Sequence, residues 1–172
     1  MESNKSIFKR SLLNSLLFSG ILIINTFNPQ ESAAKNQENI NIPKVLSYRS
    51  ASCSCCKKWV NHLRDNGLEV VDNIVENISE IKQHYNVPNN LRSCHSAKIG
   101  NYTIEGHVPI ESINKLFREK PSISGVAVSG MPHGSPGMET HSHESQSHNY
   151  ETYKVFSFSH NGNTKIFDQI SP

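Results

Sequence analysis

The chemistry of this chain is concentrated in Cys53-Ser54-Cys55-Cys56, which packs three of its four cysteines into one short loop between Arg49 and Trp59. The fourth, Cys94, lies well downstream and is followed by His95. Thiolates are the ligands of soft metals, Cu(I) above all, and also of zinc. Paired thiols also exchange disulfides. Four cysteines allow three pairings. Adjacent Cys55 and Cys56 make a poor pair with each other, and a Cys53–Cys55 bond closes a very tight ring. The spacing therefore suits holding an ion or exchanging disulfides better than stapling distant segments.

For metal binding, Cys55 and Cys56 are neighbours that point apart, so all the thiolates do not converge comfortably on one ion. They can bridge several, and Cu(I) forms thiolate-bridged clusters. The stretch Gly130 to Met138 adds soft and borderline donors in Met131, His133 and Met138, and His141, His143 and His148 follow. Four of the nine histidines thus fall between His133 and His148, and short His-rich tracts read as metal-binding. His95, beside Cys94, and His107, ahead of Val108-Pro109, are further candidate ligands. His141, His143 and His148 lack fixed geometry and read as a weak, exchangeable site or a bare insert. His62, His84 and His160 read as solvated helix-surface or turn residues, and Trp59 as a core anchor.

The competing chemistry is thiol–disulfide exchange, because Cys53 to Cys56 matches Cys-x-x-Cys. Cys55 offers such a dithiol a competing partner. A thioredoxin-like oxidoreductase also carries a proline facing its dithiol, where this chain has Ser93-Cys94-His95. A structural zinc held by the four cysteines is a third option, made awkward by the adjacent pair because zinc wants one tetrahedral centre. The pattern favours copper, with a metal-binding protein rather than an enzyme as the outcome and copper redox as its conceivable activity. No Ser-His-Asp arrangement, phosphate-cradling loop or paired-carboxylate site is present.

The elements that must position these residues begin after a leader. Lys5, Lys9 and Arg10 precede an apolar stretch from Ser11 to Phe27, and Ser32-Ala33-Ala34 offers small residues for cleavage, so residues 1–34 read as a secretory signal peptide. The apolar run is shorter than the ~20 residues of a spanning helix, which limits membrane contact to the leader before cleavage. From Lys35 on there are 14 basic and 13 acidic residues, a net charge of +1. That near-neutral balance, with no basic stripe, argues against a nucleic-acid partner. The leader predicts export to an oxidising compartment, with copper ions and other exported copper-handling proteins as partners.

Residues 35–43 read as a flexible lead-in and 44–172 as one domain, within which 129–149 is a Met/His-rich loop. Val45 to Tyr48 reads as a strand, and Cys55 to Asn66 as a helix stopped by Gly67. A second strand spans Leu68 to Asp72 and a second helix Ile78 to Tyr85. Ala97 to Ile99 and Tyr102 to Glu105 flank a turn at Gly100-Asn101. A third helix covers Pro109 to Lys120, followed by a short strand from Gly125 to Val128. A C-terminal hairpin joins Tyr153–Phe158 to Thr164–Phe167 around Asn161-Gly162. Strand–helix–strand–helix–hairpin–helix is the order of a thioredoxin-like α/β layered domain, a mixed sheet flanked by helices. In that layout the loop after the first strand opens the first helix, and the segment entering the later hairpin passes beside it. Element order alone therefore predicts that Cys94 meets Cys53, Cys55 and Cys56.

Cys53-Ser54-Cys55-Cys56 with Trp59, His62 and Leu63, then Gly67, Val87-Pro88, Leu91 to Ala97, Tyr102 to Pro109 and Gly130 to Glu139, closely resemble an exported bacterial family. It was long catalogued as a domain of unknown function and is associated with copper resistance, as the periplasmic CopG type. The resemblance covers about Val45 to Phe167. It implies a thioredoxin-like fold and a multinuclear Cu(I)–thiolate cluster held by Cys53, Cys55, Cys56 and Cys94. Two departures stand out. Ser54 replaces a common glycine and Ser52 a frequent proline, neither change removing a ligand. The run Thr140 to Asn149 is an insert onto which no family role carries.

Overall fold

The structure is a computed structural model that describes residues 40–139 and 151–171. The signal-peptide stretch and His141, His143 and His148 lie outside the described residues.

The chain runs β1 (Val45–Arg49), α1 (Ser54–Asp65), β2 (Val70–Ile74), α2 (Ile78–His84), a single 3-10 turn at Asn89–Leu91, β3 (Ser96–Ile99), β4 (Tyr102–Glu105), α3 (Ile110–Glu119), β5 (Gly125–Ala127), β6 (Tyr153–Phe158) and β7 (Thr164–Ile170). The strands form one seven-stranded sheet in the order β2-β1-β3-β4-β5-β6-β7. β1 pairs parallel with β2 and β4 with β5, and the other four pairings are antiparallel. This is the expected mixed α/β sheet with its C-terminal hairpin, and the β2-β1-β3-β4 half is compatible with a thioredoxin-like layout.

Helix α1 forms because Cys56, Trp59, Val60 and Leu63 recur at helical spacing and are all buried. Gly67 ends it at φ +83°, where the Gly67 N–H reaches Arg64 O and the Leu68 N–H reaches Leu63 O. This paired closure is a Schellman motif. It also explains why β2 starts at Val70 rather than at Leu68, since Leu68 is spent closing the helix. Trp59 is fully buried, and its indole N–H donates to Val108 O at 2.8 Å, tying α1 to the segment that enters α3. On α3, Ile110, Ile113, Leu116 and Phe117 face the core as their spacing predicts. Ile40 and Ile42, in the stretch read as a lead-in, are partly buried against the same core.

Helix α2 departs from its sequence pattern. Ile78, Ile81 and Tyr85 are only partly covered, and the buried residue is Lys82. Its amine reaches the Glu105 carboxylate at 2.5 Å and Ser96 Oγ at 3.2 Å. Glu105 is itself fully buried, so an ion pair rather than an apolar stripe seats α2 beside the β3–β4 hairpin.

Candidate metal centre

Four segments far apart in sequence build the site. The first is the opening turn of α1. Cys53 is its N-cap, with Sγ accepting the Cys56 N–H at 3.3 Å. Residues three apart on a helix lie on one face, and here Cys53 and Cys56 are joined as a disulfide with Cα atoms 5.3 Å apart. Cys55 lies outside this bond but beside it, in the place of the competing partner that the loop predicts. Cys55 and Cys94 are the free, partly buried cysteines. Cys55 Sγ stays close, 3.5 Å from Cys53 Sγ.

The second segment, Ser93 to His95, enters β3. The convergence foreseen from element order is present: one sulfur from each of Cys53, Cys55, Cys56 and Cys94 lies within 4.8 Å of the others. Burial pushes the Cys94 thiol above its ordinary range. The neighbouring Cys55 pushes the same way and the Ser93 hydroxyl opposes them. The backbone of this segment is pinned from below by the Ser93 N–H donating to Glu105 Oε1 at 2.6 Å. It is pinned from the side by Ser93 Oγ donating to Gly130 O at 2.7 Å. Gly106 (φ +71°) lets the chains approach, because a Cβ there would stand 2.5 Å from Val128 O and 2.7 Å from Ser93 Cβ.

The third segment joins β4 to α3 and carries His107. His107 Nε2 lies 3.2 Å from Cys94 Sγ, and Nδ1 lies 2.8 Å from Pro136 O. A carbonyl only accepts, so Nδ1 carries the proton, and Nε2 offers a lone pair toward Cys94. Burial holds the His107 imidazole below its ordinary value of 6.5, against the raising effects of Pro136 and Glu139. Beside it, His95 is fully buried, with its ring 4.4 Å from that of Trp59 and edge-on to His107 at 4.9 Å. Neither His95 nitrogen has a hydrogen-bond partner among the described residues. An unmade hydrogen bond at a buried polar group costs about 1–3 kcal/mol. Burial drives this imidazole well below 6.5, reinforced by His107, Lys82 and Arg49 and opposed by the Gly106 backbone. Cys94, His95 and His107 make a second group whose donor atoms lie within 4.8 Å of one another.

The fourth segment is the loop Gly130 to Glu139. Its closest engagement with α1 is through backbone. Gly137 (φ +89°) packs so tightly that a Cβ would stand 2.6 Å from Cys55 O and 3.0 Å from Trp59 N. Glu139 then accepts the Gly137 N–H at 2.9 Å with both carboxylate oxygens. Met131 and His133 are exposed and Met138 is partly buried, and His133 belongs to neither donor group. The loop thus meets the site through Pro136 O and Gly137. This backbone role does not follow from the loop's soft side chains; its signal in the sequence is the glycines of Gly130 to Gly137. Glu105 and Lys82 carry no local signal of their burial, because each has polar neighbours in the chain. His62 is a correction. It is half-buried, and its Nε2 accepts the Ile110 N–H at 3.3 Å, which caps the start of α3. His84 and His160 are exposed as expected.

Residues 91–138 match the family described as Protein of unknown function, DUF411. A solved structure of copper resistance protein CopG, Form 2, is 36% identical with a TM-score of 0.67, covering 75% of this chain and 99% of its own. Form 1 of the same protein is 35% identical with a TM-score of 0.68, covering 77% of this chain and 100% of its own. The chain belongs to the CopG copper-resistance family. A comparison with curated protein sequences finds no match. The CopG-family residues described here fit a soft metal by donor chemistry, with four sulfurs in one cluster and neutral imidazoles behind them. Among the described residues, no helix is long and apolar enough to cross a membrane.

Proposed function

We propose that this protein is exported to the periplasm, with residues 1–34 as its signal peptide, and binds copper there for copper resistance. It holds Cu(I) in a multinuclear cluster bridged by Cys53, Cys55, Cys56 and Cys94. The observation that carries this reading is the approach of all four sulfurs to within 4.8 Å of one another from two distant segments. Bridging thiolates can share several Cu(I) ions, which relieves the geometric conflict of adjacent Cys55 and Cys56 at a single tetrahedral centre. Membership of the CopG family supports copper as the cargo. Met131, His133 and Met138 serve as secondary ligands at the rim, and His141, His143 and His148 as a weak accessory site. Other copper-handling proteins of the periplasm are the expected donors and acceptors.

Titration of the reduced protein with Cu(I) against a competing chelator tests the reading. Several ions per chain are expected, with both stoichiometry and affinity falling in Cys94→Ser. Unchanged binding in that variant would overturn the four-thiol site. The Cys53–Cys56 disulfide at the start of α1 supports a second reading as a thiol–disulfide oxidoreductase. That reading requires turnover in insulin reduction and a mixed disulfide trapped by Cys56→Ser. Copper binding with neither of these eliminates it.

A further inference from the structure

Among the buried groups of this fold, His95 is the one whose surroundings do not account for it. It is fully buried, its ring is fixed between Trp59 and His107, and neither nitrogen makes a well-formed hydrogen bond among the described residues, the Gly106 backbone being the one group near enough to favour its protonated form. An apolar side chain of similar size would fill this space without leaving polar atoms desolvated and unpaired. An imidazole in such a position is best explained by a ligand. Its neighbours supply the rest of a coordination sphere. Cys94 offers a sulfur, and His107 offers Nε2, whose lone pair is guaranteed by the Nδ1–H donated to Pro136 O. A backbone carbonyl on the far nitrogen is the usual way a metal-binding histidine is oriented.

We infer that Cys94, His95 and His107 form a second metal site, distinct from the four-thiol cluster, that takes one borderline divalent cation such as Zn(II) or Cu(II). One thiolate and two neutral imidazoles suit such ions better than Cu(I) alone, and three protein donors leave a fourth position open. Binding displaces the Cys94 thiol proton and requires no electron transfer. The site uses neither Cys53 nor Cys56, so it is complete with their disulfide closed, as it stands in this structure. It does not rest on the cluster reading. Because Cys94 belongs to both donor groups, the two sites exclude each other: reduction of Cys53–Cys56 favours the soft cluster, and oxidation leaves the site for a divalent ion.

The test uses the full mature chain with the disulfide closed, verified by a count of two free thiols, titrated with Zn(II) and then with Co(II). One ion per chain is expected, with a thiolate-to-cobalt charge-transfer band that reports a cysteine ligand and sets this site apart from any weak histidine binding elsewhere. The His95 and His107 imidazole nitrogen resonances should shift together on adding Zn(II). His95→Phe should lose the cobalt band and at least about tenfold in zinc affinity. It should melt no lower than the parent without metal. The double variant Cys53→Ser/Cys56→Ser should keep the cobalt band while losing the Cu(I) cluster. Three results would overturn the inference: no cobalt band in the oxidised protein, histidine resonances unmoved by zinc, or loss of the band in the double variant. If His95→Phe does not fold, the resonances and the double variant still decide.

Discussion

The carboxylate of Glu105 accepts the backbone N–H of Ser93 at 2.6 Å, so a charge buried in the sheet fixes the residue next to Cys94. The same carboxylate holds Lys82 Nζ and Ser96 Oγ. Burial pushes the Glu105 carboxyl up, while Lys82, Ser96 and Ser93 all favour its charged form. Nothing in this arrangement donates a ligand, yet it sets where Cys94 stands relative to α1.

Glu105→Gln leaves the Lys82 ammonium buried without its counter-charge, since the two side chains are 0% and 4% exposed. A loss of about 3–5 kcal/mol is expected from breaking one side of such a pair. Urea denaturation would measure it. The double variant Lys82→Met/Glu105→Leu should recover most of that loss, and a double variant no more stable than Glu105→Gln would contradict a buried ion-pair penalty.

Gly137→Ala places a Cβ 2.6 Å from Cys55 O on a backbone with φ +89°. The loop must lift, at a cost of order 1–3 kcal/mol, and Pro136 O must leave His107. The expected signature is a lower melting temperature together with loss of the slowly exchanging His107 Nδ1–H in NMR spectra. A variant that retains that proton would show that the loop does not set the tautomer.

Acid should destabilise the metal-free protein. His95 is held well below 6.5 by burial, so below pH 6.5 the unfolded chain takes a proton that the folded chain refuses. Stability is therefore full near neutrality and falls as the pH drops, with a slope from His95 approaching ~1.4 kcal/mol per pH unit. His107 and His62 are lowered by burial as well and act in the same direction. Denaturant midpoints between pH 7 and pH 5, with chelator present, should show this fall, and His95→Phe should flatten it.

Copper loading should depend on the redox state of one bond. With Cys53–Cys56 closed, Cys55 and Cys94 are the free thiols, and a two-thiol protein binds fewer Cu(I) ions than a four-thiol one. Anaerobic titration with and without prior phosphine reduction should give the larger stoichiometry only after reduction. Equal values in both states would mean that Cys53 and Cys56 are not ligands.

The order of elements was legible because hydrophobic period and turn residues are local. Trp59, Val60 and Leu63 mark α1, Gly67 stops it, and Asn161-Gly162 turns the last hairpin. From that order the meeting of Cys94 with Cys53, Cys55 and Cys56 also followed. The seat of helix α2 was not legible in this way, because Ile78, Ile81 and Tyr85 are only partly covered and the residue that anchors it is a lysine whose partner lies on another element.

By itself the sequence determined that this chain concentrates soft ligands and that its fold carries them to one end of a sheet. The tertiary structure decided which sulfurs pair, which nitrogen of His107 is free, and that His95 is buried without a partner. It also showed that the Gly130–Glu139 loop meets His107 through the Pro136 carbonyl and α1 through Gly137. These outcomes depend on contacts between α1, the entry to β3, the β4–α3 connection and that loop. Burial and hydrogen-bond satisfaction are settled only when such distant segments meet, so no local pattern could encode them.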